Sequence, residues 1–178
     1  MLETVRLKLH PFTESDLDFL CQLQFHPEIE KTNIDGPQTR ETVKKHLDNF
    51  ISHQQKFGYS QMAIFEKISG KFVGRGGITN RVLATEIGEE SEIRFAFLPQ
   101  FWNQGFASEL IPQLQNFAFE KLNLKLLAAS ILESNPKSFH LLKKYGFKFI
   151  KNVKPCYGNV DSIQYLRITR EEFLNQKS

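Results

Sequence analysis

One stretch of the sequence decides the fold, Glu92-Ile-Arg-Phe-Ala-Phe-Leu-Pro-Gln-Phe-Trp-Asn-Gln-Gly-Phe-Ala-Ser-Glu-Leu110. Its first six residues alternate between polar or small side chains and large apolar ones, which is the period of a strand with two unlike faces. Pro99 ends this strand because proline has no amide hydrogen to donate to a ladder. From Gly105 onward the apolar side chains recur every three or four residues, which predicts an amphipathic helix.

The first turn of this helix, Gly105-Phe-Ala-Ser108, consists mostly of small residues. The first amides of a helix have no partner within it, and the helix dipole places positive charge at the same end. Because small side chains keep those amides accessible, the turn is suited to bind phosphate. A plain helix start that needs small residues is the alternative interpretation.

Pro112 lies inside this helix and removes the bond to the Ser108 carbonyl, and its sequence context suggests no function.

Composition limits the classes of protein that fit. A length of 178 residues suits one domain with a substantial core, and 40% apolar with 24% charged residues is ordinary for a globular protein. The net charge of +3 is compatible with an anionic cofactor but too small to indicate nucleic acid. We expect no membrane segment, no signal peptide and no metal site, and two cysteines fit a reducing cytoplasm.

Periodicity and turn signals predict elements in the order β-α-α-β-β-β-α-β-α-β-β. The predicted strands cover residues 5–10, 59–66, 71–79, 92–97, 124–132, 147–150 and 162–168. Between the first two helices, residues 28–38 are predicted to form a loop. The strand of residues 124–132 is apolar on both faces, as in strands that are covered on both sides.

A second helix start follows that apolar strand, at Glu133-Ser-Asn-Pro-Lys-Ser138. Asn135 is a suitable N-cap, and Pro136 suits the first helical position. Gly146 ends this helix after Tyr145.

These two helix starts resemble the two cofactor motifs of the GNAT N-acetyltransferases. Trp102-Asn-Gln-Gly-Phe-Ala-Ser-Glu109 resembles their pyrophosphate loop, in the version of the branch that includes the RimJ and RimL ribosomal-protein N-terminal acetyltransferases and also acetylators of small molecules. Trp102 stands where the general pattern has Gln or Arg. The stretch from Glu133 to Ser138, running on to Lys144-Tyr-Gly-Phe147, resembles the second motif. The resemblance implies an α/β fold over residues 1–178 as one GNAT domain, with a mixed, mostly antiparallel sheet of six to seven strands flanked by helices and splayed at the cofactor site.

The resemblance also implies acetyl-CoA as co-substrate and a set of residues that contact it. Asn135 and Ser138 combine a capping role with contacts to the pantetheine and thiol end. The predicted cofactor-binding residues are Phe97, Leu98, Gln104, Gly105, Phe106, Ala107, Ser108, Asn135 and Ser138. The Phe97 amide is a candidate donor to the oxyanion of the tetrahedral intermediate.

Acetyl transfer to an amine requires a proton acceptor, because an alkylammonium has a pKa near ~10. Glu92 is the candidate base, with Glu89 and Glu90 as substitutes, and a solvated strand residue is the alternative interpretation. The tyrosine that is the usual general acid of the family is replaced by Leu142, which leaves Ser138 or water to protonate the thiolate. Tyr145 is not a substitute for it.

The acceptor amine is a protein N-terminus or a small molecule such as a polyamine, amino acid or aminoglycoside. Its cleft is expected between the loops of residues 28–38 and 154–161 and the second helix. A module that binds coenzyme A without turnover is the rival from another class, and a homodimer is left open. We expect no nucleic-acid partner.

Overall fold

The computed structural model describes residues 2–82, 84–156, 158 and 160–177. In these residues, eight strands form one open mixed sheet flanked by helices, which confirms the predicted fold class. The strands are β1 (Leu2–Glu3), β2 (Leu7–Pro11), β3 (Gln61–Glu66), β4 (Phe72–Val82), β5 (Glu89–Phe97), β6 (Leu126–Ile131), β7 (Lys148–Val153) and β8 (Ile163–Thr169).

The strand order is β1-β2-β3-β4-β5-β6-β8-β7, and neighbours are antiparallel except at the centre. There β5 and β6 run parallel, because the helix between them crosses over the sheet. The helices are α1 (Leu17–Gln24), α2 (Pro27–Glu30), α3 (Arg40–Phe57), α4 (Phe106–Asn116), α5 (Pro136–Lys144) and α6 (Arg170–Asn175). A π-helical turn at Phe117–Lys121 continues α4.

Each face of the sheet has its own core. Leu20 of α1 and Leu47 of α3 pack with Ala63 and Phe72 on one face. Leu110 of α4 packs in a second cluster with buried side chains from β2, β5 and β8. None of the helices in the described part of the chain is long and apolar enough to cross a membrane.

Three predicted details were wrong: the number of strands, the loop at residues 28–38 and the bounds of the strand predicted at residues 147–150. The sheet has eight strands rather than six to seven because Leu2 and Glu3 pair with Leu9 and Lys8 at its edge. Residues 28–38 are not all loop, since Pro27 begins α2 and the His26 imidazole accepts the Glu28 amide at 3.2 Å. The strand predicted at 147–150 is shifted to Lys148–Val153, where it pairs with β8.

Pro112 in α4 has a structural partner far along the chain. A proline at this position cannot donate to the Ser108 carbonyl, four residues earlier. The Tyr145 hydroxyl, at the end of α5, donates to that carbonyl at 2.8 Å. The Gln115 side chain in turn donates to the Tyr145 carbonyl at 2.8 Å. The hydrogen bond that the proline removes is therefore replaced from α5, and the replacement fixes α5 against the first turn of α4.

Tyr145→Phe should destabilise the protein by about 1–3 kcal/mol, since it leaves a partly buried carbonyl without a donor. Pro112→Ala in the Tyr145→Phe background supplies an amide for the same carbonyl and should recover most of the loss. Urea unfolding of the wild type, both single variants and the double variant measures this coupling. Additive effects of the two substitutions would contradict it.

Candidate active site

The sheet opens at its centre, between β5 and β6. The two strands pair at one position among the described residues, Glu92 opposite Ala128. On its other side β5 stays paired with β4 through Phe97, and the Leu98 amide donates to Val73 at 2.9 Å. Because hydrogen bonds alternate along an antiparallel strand, the amides of Phe95 and Phe97 are directed toward the gap. The gap is the expected splay, and the Phe97 amide as an oxyanion donor stays a prediction that this geometry allows.

A cavity of about 100 Å³ lies at this gap, and we call it the splay cavity. Residues 93–96 of β5, residues 129–131 of β6 and Leu132 directly after β6 form its sides. Asn135, Ser138 and Leu142 of the α5 region line it as well, and so does Arg75 of β4. Gln24, Ile29 and residues 32–34 complete the wall, so part of the predicted acceptor loop reaches the same space as the second cofactor motif.

The other predicted acceptor loop, residues 154–161, is only partly described. Tyr157 and Asn159 lie outside the described residues. Gly158 has φ +77° and approaches the loop that carries Ile34: a Cβ at Gly158 would lie 2.2 Å from the Ile34 carbonyl oxygen. The two predicted acceptor loops therefore contact each other.

Glu92 is fully buried at the point where the strands part, so its interpretation as a solvated strand residue was wrong. Its Oε1 accepts the Ser130 amide at 3.1 Å and the Ser130 hydroxyl, while its Oε2 has no hydrogen-bond partner. Burial raises the pKa of Glu92, and the charge of Arg81 and the Ser130 hydrogen bonds offset only part of this effect. Ser130 lies on the wall of the splay cavity and Glu92 does not. The carboxylate is therefore connected to the cavity by its hydrogen bonds with Ser130.

The two predicted substitutes for Glu92 are placed differently. Glu89 is exposed at the beginning of β5. Glu90 accepts the Tyr165 hydroxyl at 2.8 Å. Burial and this hydrogen bond raise the pKa of Tyr165 to about 12. Of the three glutamates, Glu92 is the one that is hydrogen-bonded to the wall of the splay cavity, through Ser130.

Asn135 and Ser138 lie where both predicted roles can be fulfilled. The Asn135 Oδ1 accepts the Ser138 amide at 3.2 Å, which is the N-cap of α5. Both residues also line the splay cavity. Leu142, one turn further on, is 2% exposed and presents an apolar surface where the family has its tyrosine. Tyr145 is hydrogen-bonded to Ser108 and takes no part in the cavity wall.

The predicted phosphate turn has an open N-terminus. Gly105 is the N-cap of α4 with φ +81°, a conformation that favours glycine, and no side chain caps the turn. Ala107 and Ser108 are partly exposed, whereas Phe106 is buried and stacks on Phe97 at 6.1 Å between ring centroids. The side chains of Phe97, Leu98 and Phe106 are thus in the core, so a ligand would meet only their backbone. Both backbone groups of Leu98 are already bonded, its amide to Val73 and its carbonyl to the Phe101 amide. The Gln104 side chain donates to the Gln100 carbonyl at 2.7 Å.

Arg6, from the segment before β2, supports this turn. Its guanidinium donates to the Gln104 carbonyl at 2.9 Å, lies 4.4 Å from the Phe106 ring centroid, and pairs with Glu109 at 2.7 Å. Burial alone would raise the pKa of Glu109, but hydrogen bonds from Arg6 and Thr4 outweigh it and lower the pKa. Another Arg6 nitrogen lies 3.4 Å from the position of a Cβ on Gly105. The charge that is missing at Trp102 is therefore present nearby, and the Trp102 indole instead donates to the Phe97 carbonyl at 2.6 Å.

Three residues near the site are not recognisable from the sequence: Arg6, Arg75 and Ser130. Arg6 and Ser130 lie in segments whose alternation or apolar character predicts strands and nothing more. Arg75 lies among Gly74, Gly76 and Gly77, where the glycines gave the only local signal. Their proximity to the site arises from pairing between distant segments, which periodicity does not show.

Comparison with known proteins identifies the family and supports the fold. The family model of the acetyltransferase (GNAT) domain matches residues 6–148. A protein named uncharacterized N-acetyltransferase p20, from Bacillus licheniformis, is 26% identical over 180 residues and is covered over 97% of each chain. The crystal structure of a GNAT-family acetyltransferase from Bacillus anthracis has a TM-score of 0.76 at 20% identity, covering 96% of this chain and 98% of that one. Spermidine N-acetyltransferase from Vibrio cholerae, solved with CoA and spermine, has a TM-score of 0.76 at 20% identity, with 96% and 99% covered.

The chain belongs to the GNAT acetyltransferase family, and it is an acetyl-CoA-dependent N-acetyltransferase. The two solved structures share its fold. In the described residues, no group of three or more histidine, cysteine or acidic side chains is arranged to hold a metal ion.

Glu92→Gln should change how stability depends on pH. Because the folded pKa of Glu92 lies above its unfolded value, the folded protein holds this proton more tightly than the unfolded chain. The stabilisation that this tighter proton binding gives the folded state is fully present below the unfolded pKa. It is lost as pH rises through the folded pKa, by about 1.4 kcal/mol for each pH unit between the two pKa values. Glutamine removes the titration and can still accept the Ser130 amide. Urea unfolding from pH 4 to pH 9 should therefore show that the free energy of unfolding of the variant increases relative to that of the wild type as pH rises. A difference in unfolding free energy that does not change with pH would contradict the raised pKa.

Proposed function

We propose that this protein transfers the acetyl group of acetyl-CoA to a primary amine by direct attack within a ternary complex. The proposed domain spans residues 1–178. The observation that carries the proposal is the splay cavity, which brings Asn135 and Ser138 into one space with Ile29 of α2 and the loop that follows it. A thioester beside Asn135 and Ser138 and an amine beside Ile29 would meet between β5 and β6.

The cofactor would bind along the edge that the splay opens. The amides of the first turn of α4 would hold the pyrophosphate, with Arg6 adding positive charge beside Gly105. Asn135 and Ser138 would contact the pantetheine and thiol end, because they line the splay cavity. The amides of Phe95 and Phe97 would donate to the oxyanion of the tetrahedral intermediate.

The proton of the acceptor ammonium would leave through Ser130 to Glu92. The Ser130 hydroxyl donates to Glu92 Oε1, so it can pass its own proton to the carboxylate while it accepts one from the amine. The neutral amine then attacks the carbonyl carbon and the carbon–sulfur bond breaks. The thiolate takes a proton from Ser138 or from water, since Leu142 has none to give. Alignment of the two substrates would supply much of the rate enhancement.

For the acceptor we favour a protein N-terminal amine over an alkyl polyamine. The RimJ/RimL-like resemblance of both motifs supports this choice. An α-amine has a pKa near ~8 against ~10 for an alkylamine, so more of it is neutral at pH 7. A site without the usual tyrosine is better suited to that easier nucleophile. Small-molecule acetylation, as in the spermidine N-acetyltransferase of Vibrio cholerae, is the second candidate.

Gly105→Glu should abolish coenzyme A binding, because it places bulk and negative charge where the pyrophosphate would lie. Gly105→Ala is the matched control, since it carries the same left-handed backbone penalty, about 1–2 kcal/mol, without charge. Calorimetric titration of folded variants with coenzyme A checks this. Equal affinity in the glutamate and alanine variants would remove residues 105–108 from the phosphate site.

Glu92→Gln should lower kcat/KM by roughly 10²–10⁴ near neutral pH, with the deficit narrowing at high pH as the amine loses its proton unaided. Ser130→Ala keeps the carboxylate but interrupts the proposed relay, so it should show the same pH dependence with a smaller deficit. Rates of thioester consumption across pH, with several amines, test both variants. A Glu92→Gln enzyme with wild-type rates throughout would show that Glu92 only holds the two strands.

A further inference from the structure

The splay cavity has a distinctive charge. Two arginines, Arg75 and Arg94, line its wall, and none of the described residues that line it is an aspartate or a glutamate. Arg75 is 8% exposed, although burial of a cation is costly unless it is paired. A cavity that receives a positively charged amine is expected to carry the opposite charge, so these arginines need an explanation.

Arg75 has fewer partners than its burial requires. Its Nη1 donates to Gln61 Oε1 at 2.9 Å, and its Nε has no hydrogen-bond partner. Gln61 is fully buried, and its own Nε2 has no partner either. The two side chains are thus bonded to each other, and each keeps one buried N–H without a partner, so the cation is incompletely compensated. Gln61 does not line the splay cavity, so a ligand there would meet the pair through the part of Arg75 that remains exposed.

The surrounding charges do not neutralise Arg75. Asp35 and Glu92 attract it, but neither is within ion-pair distance of its guanidinium among the contacts of the described residues. Burial and the charge of Arg81 lower the pKa of Arg75 to about 10 in spite of those two carboxylates. Arg75 is therefore still a cation at neutral pH, and the imidazole of His46 on α3, also near it, has its pKa lowered mainly by burial.

The phosphates of coenzyme A do not explain the two arginines. The proposed phosphate turn, residues 105–108, contributes nothing to the wall of the splay cavity. The wall instead contains Ile29 of α2 and Asn33 of the loop after it, both from the proposed acceptor segment, together with Ser138. The pantetheine and acetyl parts of the cofactor that would reach this cavity are uncharged.

We propose that the acceptor carries a carboxylate close to its reactive amine, and that Arg75 binds this carboxylate in the splay cavity with Arg94 beside it. The planar guanidinium matches a carboxylate in shape and charge. A cavity of about 100 Å³ admits a small head group. The carboxylate has two sources that share this chemistry: the α-carboxylate of a free amino acid, or the acidic side chain of a peptide's first residue. This inference rests on the proposed function, and it makes spermidine a poor acceptor.

Matched acceptors test the inference directly. One arm compares free amino acids with their amides, a second compares peptides that begin with Asp or Glu with those that begin with Asn or Gln, and spermidine is a third. In at least one of the first two arms, kcat/KM should be roughly 10–100-fold higher for the acid than for its amide, the range of a charge-assisted hydrogen bond. Equal rates for acid and amide in both arms, or spermidine as the preferred acceptor, would overturn the inference while leaving acetyl transfer established.

The Arg75→Met variant links any preference to this residue. The acid-to-amide ratio of kcat/KM should fall toward one, and because it is a ratio, a general loss of activity does not affect it. Arg40→Met removes an exposed arginine of α3 and should leave the ratio at its wild-type value. An unchanged ratio in folded Arg75→Met would assign the preference to other residues and overturn the proposal.

A binding measurement separates this inference from the proposed function. With coenzyme A present, N-acetyl amino acids and N-acetylated acidic peptides should bind more tightly than their amides by calorimetry, and Arg75→Met should lose the difference. If no amine is acetylated but this selectivity is observed, the carboxylate site holds and the proposed function fails. If acid and amide bind equally, or neither binds, the carboxylate site is refuted whatever the rates are.

Discussion

The separation of β5 from β6 after the Glu92–Ala128 pair is the constraint on which the site depends. Strands that part inside a protein leave backbone groups without partners, and each buried one is costly. Here side chains take over part of the ladder: Glu92 accepts the Ser130 amide, and the Trp102 indole donates to the Phe97 carbonyl. The first bond holds β5 to β6 where the two strands part, and the second satisfies a backbone carbonyl near the end of β5. The amides of β5 that face the gap are thereby left for a substrate.

The first turn of α4 is held in a comparable way by residues from distant segments. Arg6 binds the turn at Gln104 and is itself paired with Glu109, while Tyr145 donates to Ser108 at the carbonyl that Pro112 leaves without a donor. Tyr145 therefore has a structural use that keeps it out of the splay cavity, and Leu142 supplies only apolar surface there. The chain has no tyrosine at the place of the family's acid, which is why positioning of the two substrates bears more of the catalysis in our proposal.

Local signals in the sequence were sufficient for most of the fold. The alternation of residues 92–97, the change of period at Gly105 and the cap at Asn135 each involve neighbours in the chain, and the structure has all three. Local signals are not sufficient for Glu92. A polar residue in an alternating strand gives the same sequence pattern whether its side chain is exposed to water or is buried and bonded to the amide of another strand. The same holds for Arg75, which is buried by pairing of β4 with β3 and β5, and for the bond of Tyr145 to a carbonyl 37 residues away. These properties arise only from tertiary contacts.

Charge connects the proposed base with the proposed acceptor. Burial raises the pKa of Glu92, and Arg81, the Ser130 hydrogen bonds and Arg75 offset part of that rise, so the carboxylate binds a proton more tightly than a free glutamate does. The same cationic surroundings disfavour an ammonium and lower the pKa of an amine that enters the cavity. A carboxylate on the acceptor would compensate for the repulsion and bring such an amine in. An acceptor without one would meet two arginines and no opposing charge among the described residues of the wall, so selection of the acceptor and removal of its proton would follow from one arrangement of charges.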